Sequence, residues 1–175
     1  MEGTVRWLRN RPYHEGQLRA HRTVEGRAGS FADPDLDDRL DAALGEDGIE
    51  RLYDHQARAV EAVRGGRNVV LSTPTASGKS LAYTVPAVER ALDRRATTLY
   101  VAPQVALIED QAETLSSLAD RLGFASGVTV ARYTGRQDRE EKAAIRERQP
   151  TVLLTTPDML HYGILPHAHR LWDWF

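Results

Sequence analysis

Apolar and polar positions change rhythm several times along the chain, and each change predicts an element. Residues 1–30 hold no sustained period and are rich in Arg and Gly, which predicts an arm or an irregular cover. Leu36, Leu40 and Leu44 then fall on one face opposite a set of Asp residues, predicting a helix over about 34–44 that ends near Gly45 or Gly48. A second helix is expected over Asp54–Arg64, with Asp54 as N-cap and Gly65-Gly66 as the stop. Asn68-Val69-Val70-Leu71-Ser72 is a short apolar run after a glycine turn and predicts a buried strand. It leads through Thr73–Gly78 into a helical pattern over Ser80–Arg95, with Leu81, Val85, Val88 and Leu92 near one face and Pro86 inside it as a kink.

The alternation repeats downstream. Thr98–Ala102 reads as a strand, Gln104–Leu122 as a long amphipathic helix closed by Gly123, and Val128–Arg132 as a strand. Gln137–Arg148 reads as a highly charged helix and Thr151–Thr155 as a further strand. Strands alternating with helices of this length predict an α/β domain with a mostly parallel sheet. Neither an internal repeat nor a low-complexity tract interrupts it. The terminal stretch HAHRLWDWF is aromatic-rich, and Trp172, Trp174 and Phe175 are expected to add exposed apolar area.

Composition narrows the picture. A chain of 175 residues supports one domain with a real core and is marginal for two. The absence of Cys excludes a disulfide framework, a thiolate metal site and a thiol nucleophile. No long apolar run is present, so no membrane-spanning helix is expected. The opening MEGTVRWLRNRPYHEG lacks the apolar stretch of a signal peptide, which points to the cytoplasm. A net charge of −2 excludes a strongly basic nucleic-acid binder but not a local basic face. Charge is uneven: residues 1–30 carry six bases and three acids, residues 31–50 one base and eight acids.

The strongest chemical feature is Thr73-Pro74-Thr75-Ala76-Ser77-Gly78-Lys79-Ser80, between the expected strand and helix. A phosphate-binding loop needs small residues so that backbone N–H groups can close around phosphate oxygens. It also needs a helix N-terminus, a Lys to reach the β- and γ-phosphates, and a hydroxyl for Mg²⁺. All are present; Thr73 stands where the first glycine of the usual G-x-x-x-x-G-K-[ST] pattern would be. A second feature is Leu52-Tyr53-Asp54-His55-Gln56. The Gln56 amide is donor and acceptor together and can pair with the two-sided edge of adenine. Taken alone, Gln56 also reads as a surface glutamine and His55 as a structural or surface histidine.

Together with Tyr100-Val101-Ala102-Pro103-Gln104-Val105-Ala106-Leu107, Tyr133-Thr134-Gly135 and Thr155-Thr156-Pro157-Asp158-Met159-Leu160-His161, these features resemble the superfamily 2 DEAD/DEAH-box helicases. The wording LYDHQARAV, STPTASGKS and TTPDMLHYGILPH is most similar to the repair-type DNA helicases of the mitomycin-repair-factor kind. The resemblance covers about residues 20–175. It implies an incomplete RecA-like P-loop domain over 31–175 behind an N-terminal arm, 1–30, and an N-terminal part of an ATP-dependent DNA helicase. Gln56 would read adenine. Thr75, Ala76, Ser77, Gly78, Lys79 and Ser80 would hold ATP, with Lys79 acting on the transferring phosphate and Ser80 on Mg²⁺. Pro103, Ala106, Leu107, Thr134, Gly135, Thr156, Pro157 and Asp158 would lie along single-stranded DNA, or RNA.

Two departures qualify the resemblance. The basic residue usual before Ala-Leu in this family is Val105 here, which removes one backbone-phosphate contact. Moreover, no apolar run ends in the Asp-Glu pair with which the family holds Mg²⁺ and orients water. The expectation is therefore a truncated chain that needs the missing helicase segments, or a partner chain, to hydrolyse ATP. Loss of the strand after the Asp-Glu strand is expected to uncover one edge of Asn68–Ser72. A non-enzymatic nucleotide- or nucleic-acid-binding module acting with a partner stays open as the alternative. A small P-loop kinase or GTPase is disfavoured, because no later strand supplies a Mg²⁺-holding Asp. Outside the motifs, residues 103–107 also read as a strand-to-helix turn and Thr155–Asp158 as a helix N-cap. Arg132, Arg136, Arg139, Arg146 and Arg148 are interleaved with acids and read as a solvated helix face as readily as a nucleic-acid track.

Overall fold

A computed structural model describes residues 2–24, 28–74, 77–93 and 96–175. Its centre is a parallel sheet of three strands, β3 (Thr98–Val101), β4 (Val130–Tyr133) and β5 (Val152–Thr155), in the spatial order β3-β5-β4. The helices between them are α5 (Val105–Leu122) and α6 (Arg139–Arg148). Strand β5 is central and buried along its whole length. Val152 and Leu154 point into one apolar core and Leu153 into a second on the opposite face, as the alternation of a strand buried on both sides requires. The first core gathers Leu40 and Leu44 of α2 (Asp38–Glu46), Val60 of α3 (Asp54–Arg64), Val85 and Val88 of α4 (Leu81–Leu92), and Ile108 and Leu115 of α5.

Local chemistry explains most boundaries. Helix α2 starts later than the apolar pattern suggests, because the Asp37 carboxylate caps the Arg39 amide. It runs through Gly45, and the chain turns at Gly48 with φ +74°. Helix α3 has the expected span, but Asp54 is its first residue rather than its cap. Tyr53 holds the cap position, and the Gln56 side chain reaches back to the Tyr53 amide. The last residues of the helix expected over Ser80–Arg95 include Arg94 and Arg95, which lie outside the described residues; α4 ends at Leu92. Strand β4 begins two residues after the expected start. Thr129 and Thr151 exchange side-chain-to-backbone hydrogen bonds there before the regular ladder begins. Asp138, with Glu141, forms a capping box that sets the start of α6.

Three expectations are corrected. Asn68–Ser72 is not a strand: the run has no ladder partner among the described residues, and Val70 is 96 % exposed. A parallel strand is held by neighbours on its edges, and neither edge of this run has one. The aromatic terminus lies open only at Phe175, which is 38 % exposed. Short helical turns over 157–171 carry it back onto the sheet, so that Trp172 is 4 % exposed and meets the Tyr133 ring edge-on at 4.8 Å. The first stretch is not wholly irregular either, since Glu2–Arg9 forms helix α1. A two-residue antiparallel pair, β1 (Phe31–Ala32) with β2 (Leu52–Tyr53), is an element the apolar pattern did not announce.

Candidate nucleotide and nucleic-acid site

The segment from Thr73 to Ser80 joins the unpaired apolar run to α4, and α3 holds it from the side. Gln56 is 1 % exposed, and both ends of its amide are used. Oε1 accepts from the Tyr53 amide at 2.8 Å, while Nε2 donates to the Gly78 carbonyl at 2.6 Å. His55, next along α3, donates from Nε2 to the Ser77 carbonyl at 3.0 Å. Gly78 adopts φ +72°, and a Cβ there would lie 2.6 Å from Gln56 Nε2. Glycine is needed on both counts. Thr75 and Ala76 lie outside the described residues.

Lys79 turns back on the loop. Its ammonium donates to the Thr73 and Pro74 carbonyls at 3.0 and 2.5 Å and sits 3.4 Å from Ser77 Oγ. The hydroxyls of Thr73 and Ser77 share a hydrogen bond of 2.6 Å, so Thr73 closes the loop with its side chain where glycine is usual. Ser80 precedes the first turn of α4 and makes no side-chain capping bond. Within that turn the Ala82 and Tyr83 N–H groups already donate to the Lys79 and Ser80 carbonyls at 3.1 and 3.2 Å. Among the described residues no three His, Asp or Glu side chains cluster as a metal site.

A cavity of about 470 Å³ opens beside the loop, lined by Phe31, Arg51, Tyr53, Gln56, Gly78 and Leu81. Pairing of β1 with β2 stacks the Phe31 and Tyr53 rings at 4.8 Å, and Tyr53 stacks in turn on His55 at 5.7 Å. The Arg51 guanidinium lies 5.7 Å from the Phe31 ring. Flat rings, a buried amide and the phosphate loop thus border one space. Phe31, Arg51 and Tyr53 have no signal of their own in the sequence; only Tyr53, three residues before Gln56, stands within a recognisable motif.

The remaining site residues gather at one end of the sheet. Parallel register sets Val101 and Tyr133 level with Thr155, so the segments that follow β3, β4 and β5 emerge side by side. Pro103, Ala106 and Leu107 are exposed there, as are Gly135, Pro157 and Asp158. Thr134 and Thr156 are buried and shape the turns. Thr134 donates through N and Oγ1 to Gln137 Oε1, while Thr156 Oγ1 caps the Met159 amide at 3.3 Å. Of the arginines, Arg136 pairs with Glu109 and Arg146 donates to the Tyr133 hydroxyl, which commits both to structure.

Residues 53–173 match the family of DEAD/DEAH box helicases. The chain is 38 % identical over 141 residues to YprA of Bacillus subtilis, an uncharacterized ATP-dependent helicase, covering 78 % of this chain and 18 % of YprA. It is 37 % identical over 127 residues to the ATP-dependent helicase HRQ1 of Saccharomyces cerevisiae, covering 72 % of this chain and 12 % of HRQ1. The crystal structure of the DUF1998 helicase MrfA bound to DNA and AMPPNP superposes with a TM-score of 0.79 at 35 % identity, over 85 % of this chain and 21 % of that one. The chain thus spans about a fifth or less of the relatives it matches.

Proposed function

The chain belongs to the DEAD/DEAH box helicase family, and from that premise we propose that it is the N-terminal portion of the ATP- and DNA-binding machinery of an ATP-dependent DNA helicase. Use of ATP comes with the family. The single observation that carries the assignment of the site is the contact of Gln56 with Gly78, which joins the cavity of about 470 Å³ to the phosphate loop. In this reading Phe31, with Tyr53 stacked behind it, lies against the base, and Gln56, already bonded to Tyr53 and Gly78, would turn its second N–H and second lone pair to the base edge. Thr75, Ala76, Ser77 and Gly78 offer backbone amides to the phosphates. Lys79 leaves the Thr73 and Pro74 carbonyls for the β- and γ-phosphate oxygens, a stronger, charge-assisted partner. Ser80 supplies the hydroxyl for Mg²⁺, which when bound neutralises charge on the phosphates.

Single-stranded DNA, or RNA, would cross the row of segments after β3, β4 and β5. Its phosphates would meet exposed backbone at Pro103, Ala106, Leu107, Gly135, Pro157 and Asp158, on turns that Thr134 and Thr156 hold in shape. Residues 1–30 form an arm and 31–175 the partial RecA-like domain.

The exposed run at Asn68–Ser72 favours a second, compatible reading: the chain acts with further strands, on the same polypeptide or a partner, that complete the sheet beside the loop. The sequence contains no Asp-Glu pair, so the 175-residue chain alone is proposed to bind nucleotide without turning it over. Photolabelling with an azido-adenine nucleotide tests the assignment. Label is expected on Tyr53 or its neighbours in the cavity, and label confined to other peptides would refute it.

A further inference from the structure

The N-terminal stretch takes no part in either core. No described residue from Gly3 to Val24 is buried, yet the stretch carries Trp7 at 51 % exposure and Tyr13 at 65 %. With Leu8 they make several exposed large apolar side chains on one short segment that enters neither core. The same stretch carries Arg6, Arg9 and Arg11. Arg6 and Arg9 lie three apart on α1 and share a face, and Arg11 lays its guanidinium 3.6 Å over the Trp7 ring. Among the described side chains, which do not include that of Glu2, none of the three meets a carboxylate, whereas Arg39, Arg64, Arg121 and Arg136 all do.

We infer that this stretch is a nucleic-acid contact separate from the loops of the sheet: the guanidinium groups of Arg6, Arg9 and Arg11 meet phosphodiesters, and Trp7 and Tyr13 offer flat faces to unpaired bases. Unpaired cations interleaved with exposed aromatic rings are the chemistry that tracks single strands. Charge complementarity decides for a polyanion. The preference for nucleic acid over an anionic lipid surface, which an amphipathic helix could also meet, rests on the strand-binding role proposed above. An eight-residue helix presents little apolar area for insertion into a bilayer.

The test uses the full chain, anisotropy of a labelled single-stranded oligothymidylate, and a salt titration. Removing one cation that neutralises a phosphate should flatten the log–log salt slope by about 0.7, so R6Q/R9Q/R11Q should lower it by about 2 and weaken binding about tenfold or more at moderate salt. Trp7→Ala should weaken binding with little change in slope, and Trp7→Phe should retain most of it. Far-UV circular dichroism and ATP-analogue binding should stay as in wild type in all three. If the triple variant does not fold, the Trp7→Ala and Trp7→Phe pair decides, and equal binding by both overturns the inference. An unchanged slope and affinity in the triple variant, with binding still abolished in a variant of the exposed Asp158, would overturn it and leave the sheet-end reading standing. Weaker binding by the arginine variant with no effect at Asp158 would support the arm and count against the sheet-end reading. Tight binding of wild type to phosphatidylglycerol vesicles with none to the oligonucleotide would overturn it in favour of lipid.

Discussion

Gln56 and Gly78, twenty-two positions apart, are joined by a 2.6 Å hydrogen bond from a side-chain amide to a main-chain carbonyl. The contact fixes the distance between the start of α3 and the phosphate loop, and with it the width of the cavity between Phe31 and Leu81.

Gly78→Ala should therefore fail as a nucleotide site while sparing the rest of the fold. The added methyl meets both an unfavourable φ and the Gln56 amide. Binding of an ATP analogue is expected to fall below detection, with the circular dichroism spectrum retained. Wild-type affinity in this variant would show that the loop does not need the contact.

The proposed role of Gln56 makes a prediction about the base. ATP should be bound in preference to GTP, and Gln56→Ala should erode the preference, since a bidentate pair is worth about 1–3 kcal/mol. A competition titration with no preference in wild type would remove the adenine assignment.

Much of the fold can be read along the chain, for local reasons. Helices α3 and α5 show a clean apolar face and end at glycine, so periodicity and stop signals agree on their limits. The loop-to-helix pattern likewise sets Lys79 just before α4, and the strand-to-turn pattern sets Thr156 just after β5. What could not be read depends on contacts distant in sequence. Val69-Val70-Leu71 has the composition of a buried strand, but burial needs neighbouring strands, and the run alone does not reveal whether they are there. Trp172 is as apolar as an exposed tail residue would be, and only the turns over 157–171 bring it to Tyr133. The Phe31–Tyr53 stack depends on a two-residue pairing too short to leave a pattern.

The terminus should accordingly matter to stability. Trp172→Ala removes a buried ring from the second core and should cost about 3–5 kcal/mol, read as a lower denaturant midpoint at unchanged slope. A midpoint equal to wild type would mean the terminus packs only loosely.

Asp37 gives the fold a pH dependence at its acid end. Its carboxyl is held at about 2, below the ordinary 3.8, chiefly by the hydrogen bond from the Arg39 side chain. A depressed carboxylate stabilises the fold above its unfolded value and loses that contribution as pH falls through the folded one. The cap of α2 should therefore be at full strength near neutrality and fade between 3.8 and about 2. Asp37→Ala should cost about 1 kcal/mol at neutral pH and flatten that part of the stability profile. Parallel wild-type and variant profiles across this window would contradict the assignment.

Catalysis separates the isolated chain from the complete machinery. Phosphate release should be absent with or without single-stranded DNA. Turnover that DNA stimulates and Lys79→Ala abolishes would mean that the chain supplies its own Mg²⁺ carboxylate, and Asp158 would be the first residue to substitute.

The most direct test of the account is a titration of the 175-residue chain with a fluorescent, non-hydrolysable ATP analogue in the presence of Mg²⁺, beside Lys79→Ala. Saturable binding by wild type and none by the variant is the expected result, because in the proposed site the Lys79 ammonium exchanges the Thr73 and Pro74 carbonyls for the phosphates. Equal binding by the two proteins would contradict it.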